Sequence, residues 1–386
     1  MRYDGEIIDV NVSDQESVQM SDDEINAKYK RGEIRIVTEQ ARYPIKSIKG
    51  MLDGEDYKLN PEYQRRKRWD NGKKSRLIES FIMNVPLPPI FLYEYEYAKF
   101  EVMDGLQRLT SIYDFYSGKF ALEGLQYWTE LNGKTISELP EEIKKGIDRR
   151  YISSIVLLEE TAKTEKEAEE LKQIVFERLN SGGEKLTPQE TRNALYNGPF
   201  NQLCLKLSTN YKFREMWGIP QEEVGEEVLL ESDSYRKMED VELVLRFFAY
   251  RFIEEMNGLK INNFLDAYLK QANNFSNELI IKLEGLFNDT IDLVYELFGA
   301  DAFKPPKYER EVKTPQKLIY DPLMQSISKI VDKKSIVLSR LDEIRDNIYN
   351  DKVRGDGSKV FDGRRNDQPY VIERIKFFDS YFSAIL

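Results

Sequence analysis

The sequence predicts an α+β protein: a small mixed-sheet domain with helices, followed by an α-helical C-terminal half. Three observations carry this. Residues 90–103 hold two short apolar runs about a turn near Ala98, the pattern of a β-hairpin. Residues 152–159, ISSIVLLE, are β-branched and continuously apolar, as in a strand interior to a sheet. From Pro199 onward apolar residues recur at helical spacing, as at Val241, Val244, Leu245, Phe248 and Phe252. The expected division is an acidic arm over 1–30, a mixed-sheet domain over 31–198 and a helical domain over 199–386.

The elements follow in order. Residues 1–30 are polar and acid-rich, which predicts a loosely held arm, read as a solvated tail or else as a docking arm or an acidic DNA mimic. Residues 34–37 read as a short strand and 46–52 as a short helix. Pro61 holds Asn60 extended. The helix expected over 71–84 carries Leu77, Ile78, Phe81 and Ile82 on one face and stops before Val85-Pro86-Leu87-Pro88-Pro89. After the hairpin, Leu109 to Tyr116 forms a helix that Gly118 ends. Residues 120–131 read as strands or a loop excursion. A helix over 164–180 buries Leu171, Ile174, Val175 and Leu179. It runs into Asn180-Ser181-Gly182-Gly183, and Thr187-Pro188-Gln189-Glu190 then opens the next helix with a capping box. Further helices are expected at 200–208, 238–255, 261–271, 277–298, 313–329, 335–349 and 368–380, with an acidic loop over 221–233.

Composition removes whole classes of chemistry. The 386 residues contain no histidine, so Ser-His-Asp and Cys-His nucleophile systems, imidazole zinc sites and histidine-dependent nucleases are excluded. The single cysteine, Cys204, makes no internal disulfide and reads as a small buried residue of a helix. A net charge of −11, from 68 acids against 57 bases, argues against indiscriminate nucleic-acid binding but leaves room for a local basic groove. No apolar run is long enough to span a bilayer and no signal-peptide core is present, so a cytoplasmic location is expected. What remains is chemistry by carboxylates, amides, arginine, lysine, hydroxyls or a hard metal such as Mg2+.

Two stretches concentrate such groups. In Phe100 to Tyr116, FEVMDGLQRLTSIYDFY, a strand ends at Asp104-Gly105 and a helix starts beside Gln107 and Arg108. A strand, tight turn and helix N-terminus in series form an anion-binding device, because the first-turn N–H groups lack intrahelical partners and the helix dipole favours negative charge. Arg108 offers a bidentate fork. Asp104 cannot face a phosphate directly; it binds a metal, pairs with Arg65 or Arg108, or caps the helix. The other stretch, Tyr63-Gln64-Arg65-Arg66-Lys67-Arg68-Trp69, is the most basic in the chain and is flanked by aromatics. It reads either as a solvated loop carrying a buried tryptophan or as a phosphate or nucleic-acid contact through Arg66, Lys67 and Arg68.

Four motifs in this order resemble the DGQQR-type proteins, the N-terminal domain of GmrSD type IV restriction enzymes in the ParB–sulfiredoxin-like superfamily. They are Asn60-Pro61-Glu62-Tyr63-Gln64-Arg65 with Trp69; Arg76-Leu77-Ile78-Glu79-Ser80 with Pro86-Leu87-Pro88-Pro89; Asp104-Gly105-Leu106-Gln107-Arg108-Leu109-Thr110-Ser111; and Phe176 through Asn180-Ser181-Gly182-Gly183 to Leu186. Together they span about 43–195. The resemblance implies nucleotide binding, with hydrolysis in some members, in defence against foreign or modified DNA. It implies a site of Asp104, Gly105, Gln107 and Arg108, with Gln64 and Arg65 facing the same pocket and Asn180, Gly182 and Gly183 closing it. Expected cofactors are a nucleoside triphosphate, GTP or ATP, and Mg2+ on Asp104. In an NTPase reading, Asp104, Gln107 and Arg108 are the catalytic set. The chain departs from the motif at Leu106, where the family has a glutamine, so hydrolysis and binding separate here. Without histidine it also lacks the family's nuclease chemistry, which leaves any cutting to a partner nuclease or to an unrecognised carboxylate site. The alternative is a non-catalytic DNA-binding or adaptor module.

Overall fold

The computed structural model describes residues 2–9, 20–31, 36–59, 69–158, 164–179, 186–256, 258–304, 314–347, 360–361 and 367–386. The chain forms two compact units, Ser17–Leu186 and Met1–Glu16 with Thr187–Leu386. The first is α+β and the second is helical. No helix among the described residues is long and apolar enough to cross a membrane.

The α/β unit is built on five strands: β1 (Thr38–Pro44), β2 (Tyr57–Lys58), β3 (Ile90–Glu96), β4 (Lys99–Asp104) and β5 (Tyr151–Leu157), in the order β1-β5-β3-β4-β2. β5 lies inside the sheet, antiparallel to β1 and parallel to β3, as its apolar run predicts. β3 and β4 make the predicted hairpin, with Ala98 at φ 57 in its turn. Of the strand expected at 34–37, residues 34–35 lie outside the described residues and 36–37 are not in a strand; the first described strand is Thr38–Pro44. Its polar sequence becomes a strand by pairing with β5, Thr38 opposite Leu157 through Pro44 opposite Tyr151. Pro44 is tolerated there because β1 is an edge. Cross-strand pairing overrides a weak local pattern.

The unit's helices are α1 (Asp22–Arg31), α2 (Ile48–Asp53), α3 (Asn71–Met83), α4 (Leu106–Tyr116), α5 (Glu141–Asp148) and α6 (Glu165–Leu179). One core joins α2 to α5 to one sheet face, through Ile48, Ile78, Phe81, Leu109, Ile112, Phe115 and Ile147 against Ile90, Leu92, Val102 and Ile152. On the other face α6 is tied down by Lys172. Its ammonium pairs with Glu101 of β4 and lies 5.5 Å from the ring centre of Tyr93, the residue opposite Glu101 in β3. Residues 120–131 are a loop ending in a short 3-10 turn, not strands. Side chains of α3 hold that loop where a ladder would have been needed.

The helical unit contains α7 (Pro188–Leu195), α8 (Pro199–Leu207), α9 (Tyr211–Trp217), α10 (Glu239–Ala249), α11 (Ile261–Ala272), α12 (Asn277–Phe298), α13 (Lys317–Ser328) and α14 (Gln368–Ile385), with shorter helical turns between. The predicted capping box opens α7: Thr187 Oγ1 accepts from Glu190 N at 3.2 Å and Glu190 Oε2 from Thr187 N at 2.7 Å. Cys204 is buried in α8, and burial pushes its thiol well above the usual range. Residues 221–233 are helical turns rather than a loop, because Leu229 is buried and anchors Glu226–Glu231. The helix expected at 335–349 is two, broken at Arg340.

Of the readings of the N-terminal arm, residues 2–9 follow the docking one. Residues 2–9 are seated on the helical unit. Ile8 joins its core, Glu6 forms a buried pair with Arg251, and Arg2 lies 4.3 Å from the ring centre of Phe252. Asp9 N donates to Gln271 Oε1 at 2.8 Å, and Gln271 Nε2 returns a bond of 2.6 Å to Asp9 O. Residues 2–9 are thus seated by one core isoleucine, two ion pairs (Glu6 with Arg251 and Arg2 with Glu255), the contact of Arg2 with Phe252 and the paired bonds to Gln271.

Candidate functional site

The turn from β4 into α4 depends on Gly105. It caps α4 at φ 94 with no side-chain hydrogen bond, and a Cβ there would lie 2.5 Å from Ile90 Cγ2. Only glycine meets both the left-handed backbone and the close approach to β3. The result is an eleven-residue helix whose first turn has no capping side chain. Helix α4 is then fixed along its length. Tyr113 Oη donates to Asp53 Oδ1 of α2 at 2.8 Å, Lys74 of α3 pairs with Asp114 at 2.9 Å, and Tyr116 Oη donates to Asp148 Oδ1 of α5 at 2.7 Å.

Among the routes open to Asp104 in the sequence, the structure shows pairing with Arg108. Arg108 Nη2 donates to Asp104 Oδ2 at 2.8 Å, and Nη1 donates to the carbonyls of Pro88 and, at 3.3 Å, Pro89. The arginine therefore clamps the proline-rich loop to the start of α4. Its side chain is 11% exposed and that of Asp104 is 48%, so the acid is the open member of the pair. Burial pulls the Arg108 guanidinium below its usual range, and the Asp104 charge opposes that pull.

Gln107 Oε1 accepts from Trp69 N at 3.0 Å, which ties the turn to the residue just after the basic stretch. Leu106 is buried in the core shared with Ile90 and Leu109. A glutamine in that orientation would bury an amide. Thus Asp104, Gly105, Gln107 and Arg108 are brought together at one turn. Gln64, Arg65, Arg66, Lys67, Arg68, Asn180, Gly182 and Gly183 lie outside the described residues. Among the described residues no three acidic, cysteine or histidine side chains converge on a metal position. Asp104 offers one carboxylate, which fits Mg2+ only as a cation shared with a ligand's phosphates.

Glu79 was legible as part of a motif, but its role was not. It is 3% exposed. Its carboxylate accepts from three consecutive backbone N–H groups, Gln126 at 3.2 Å, Tyr127 at 2.7 Å and Trp128 at 2.9 Å. One helical turn earlier on α3, Ser75 Oγ accepts from Glu123 N at 2.9 Å. Burial pushes the Glu79 carboxyl up, but the three donors outweigh it and hold the group below the usual carboxylate range. Only a polar residue on the core face of α3, between Ile78 and Phe81, hinted at this in the sequence.

Residues 48–197 match the family model described as GmrSD restriction endonuclease, N-terminal domain. The match covers 150 of the 386 residues, and no nuclease-domain match covers the remainder. No curated protein and no solved structure matches the chain. The matched stretch runs through the whole Asp104–Arg108 turn and ends just beyond α7.

Proposed function

Starting from a GmrSD-type N-terminal domain at residues 48–197, we propose that this protein is a nucleotide-binding component of a restriction-type defence system acting on foreign or modified DNA. The observation that carries the reading is the uncapped start of α4, held by Gly105 beside an open carboxylate. First-turn N–H groups and the helix dipole attract a nucleotide phosphate. Asp104 Oδ2 is engaged by Arg108, and the half-exposed carboxylate would hold a Mg2+ arriving with the triphosphate, which would neutralise phosphate charge there. Arg108 positions Asp104 and the Pro88-Pro89 loop. GTP and ATP are the nucleotides to test.

The same geometry favours binding over hydrolysis. Gln107's amide oxygen is taken by Trp69 N, Arg108's fork by two carbonyls and an acid, and Leu106 faces the core. The oxygen of Gln107 that could accept from a water and the fork of Arg108 are already engaged. We therefore read the site as a nucleotide switch, with any DNA cleavage left to a partner nuclease. Equilibrium binding of GTP and ATP with Mg2+, run beside a phosphate-release assay, tests this. Binding with no phosphate release supports the switch, release that Asp104→Asn abolishes makes the protein an NTPase, and no binding of either nucleotide sinks the proposal.

A second reading, a DNA-binding adaptor without nucleotide, is favoured by the fully engaged Arg108. It predicts DNA affinity that falls by roughly 0.9 log units per phosphate contact per log unit of salt. A flat salt titration eliminates it.

A further inference from the structure

The helical unit holds a cavity of about 200 Å3 outside the family-matched stretch. Its walls are the 3-10 segment Tyr250–Glu255, the end of α13 and the middle of α14. Ile253, Ile372 and Ile375 give it an apolar side, while charged groups surround the rest. It is thus a predominantly polar concavity with one apolar side. A water occupies about 30 Å3 of liquid, so this space suits a ligand far smaller than a nucleotide.

The charges of the lining sort themselves. Arg251 is paired with the buried Glu6. Lys329 pairs with Asp379 at 2.6 Å. Two lining groups are left without an ion pair among the described residues, Glu254 and Lys376, and both are exposed. They have opposite sign and stand on different walls, one on the 3-10 segment and the other on α14. A ligand bearing only a positive or only a negative charge satisfies half of this arrangement. One that carries both charges close together on a short aliphatic group satisfies all of it.

We infer that this cavity binds a small zwitterion with an apolar side chain, a free aliphatic amino acid, with its ammonium toward Glu254, its carboxylate toward Lys376 and its side chain against Ile253, Ile372 and Ile375. Its occupancy bridges α14 to the segment that carries Arg251 and, through it, the N-terminal arm. Nothing in this inference depends on nucleotide binding at Asp104.

The test is calorimetric titration of the full chain with L-leucine, with isoamylamine as the ligand lacking the carboxylate, and with 4-methylpentanoate as the ligand lacking the ammonium. Leucine is expected to bind saturably and each single-charge analogue at least tenfold more weakly. Glu254→Gln and Lys376→Gln are exposed substitutions, and thermal melts confirm that each variant folds. Each is expected to weaken leucine at least tenfold. Absence of leucine binding, equal binding of the three ligands, or affinity unchanged in both variants overturns the assignment.

Discussion

Arg108 and Arg192 both belong to the stretch that matches the GmrSD N-terminal domain, yet they are held in opposite ways. Arg108, in the α/β unit, spends its donors on two proline carbonyls and one half-exposed acid. Arg192, in the helical unit, is 1% exposed and has only protein around it. Its Nε donates to Asp266 at 2.6 Å, Nη1 to Gln189 and Glu242, and Nη2 to Asn262. Glu242 is shared in turn with Lys317 of α13. Burial alone would raise the Glu242 carboxyl, but Lys317, Arg192 and Arg246 around it bring it below the usual range. Arg192 is thus a lock between α7, α10 and α11. Arg108 is a brace whose partner faces outward. The family-matched stretch covers both residues; what separates them is that Arg192, 1% exposed, joins two acids on two other helices, whereas Arg108, 11% exposed, holds a single acid four residues before it.

The largest expected effect follows from breaking the lock. Arg192→Met removes the buried cation from Asp266 and Glu242 and should lower stability by about 3 kcal/mol in urea unfolding, the low end for breaking a buried pair, because Lys317 stays on Glu242 and Asp266 is 37% exposed. Arg108→Met should cost less, about 1–3 kcal/mol, because Asp104 regains water while only the proline carbonyls lose a donor. If the two losses are equal, the contrast between brace and lock is wrong.

Gly105→Ala comes next. The positive φ alone costs about 1–3 kcal/mol for a residue with a Cβ, and the contact with Ile90 adds to it. Nucleotide affinity should fall together with stability, since the start of α4 must shift.

Glu79→Gln is expected to cost about 1.5–3 kcal/mol, the worth of hydrogen bonds to a charged acceptor. Its pH dependence has a definite sign. The folded carboxyl lies below its unfolded value of 4.5, so its contribution is full above that pH and is lost as pH falls through the folded value. Wild type should therefore destabilise on acidification in this window more steeply than Glu79→Gln. Parallel curves in acid urea titrations would remove Glu79 from its assigned role.

The smallest stability effect belongs to Asp104→Asn. A half-exposed pair contributes about 0–1 kcal/mol. The same substitution should have the largest effect on ligand binding.

The hairpin, strand β5, the 22-residue helix α12 and the capping box at Thr187 were readable because each is local: alternation, period and cap lie within a few residues. What escaped is nonlocal. β1 is a strand because β5 pairs with it, and the N-terminal residues are seated because Arg251 and the core around Ile8 receive them. Within the site, Asp104, Gly105, Gln107 and Arg108 were legible from residue type and turn chemistry. The direction of each side chain was not. No pattern in the sequence shows that Leu106 faces inward, that Trp69 N occupies Gln107, or that the Pro88 and Pro89 carbonyls take up Arg108's fork.

The most direct test of the central claim is a calorimetric titration of GTP and of ATP, each with Mg2+, into wild type and Asp104→Asn. Saturable binding of at least one nucleotide to wild type, weakened tenfold or more in Asp104→Asn and by chelation of Mg2+, is the predicted result. No saturable binding of either nucleotide, or binding indifferent to both the substitution and the chelator, contradicts the assignment of the Asp104–Arg108 turn as a nucleotide site.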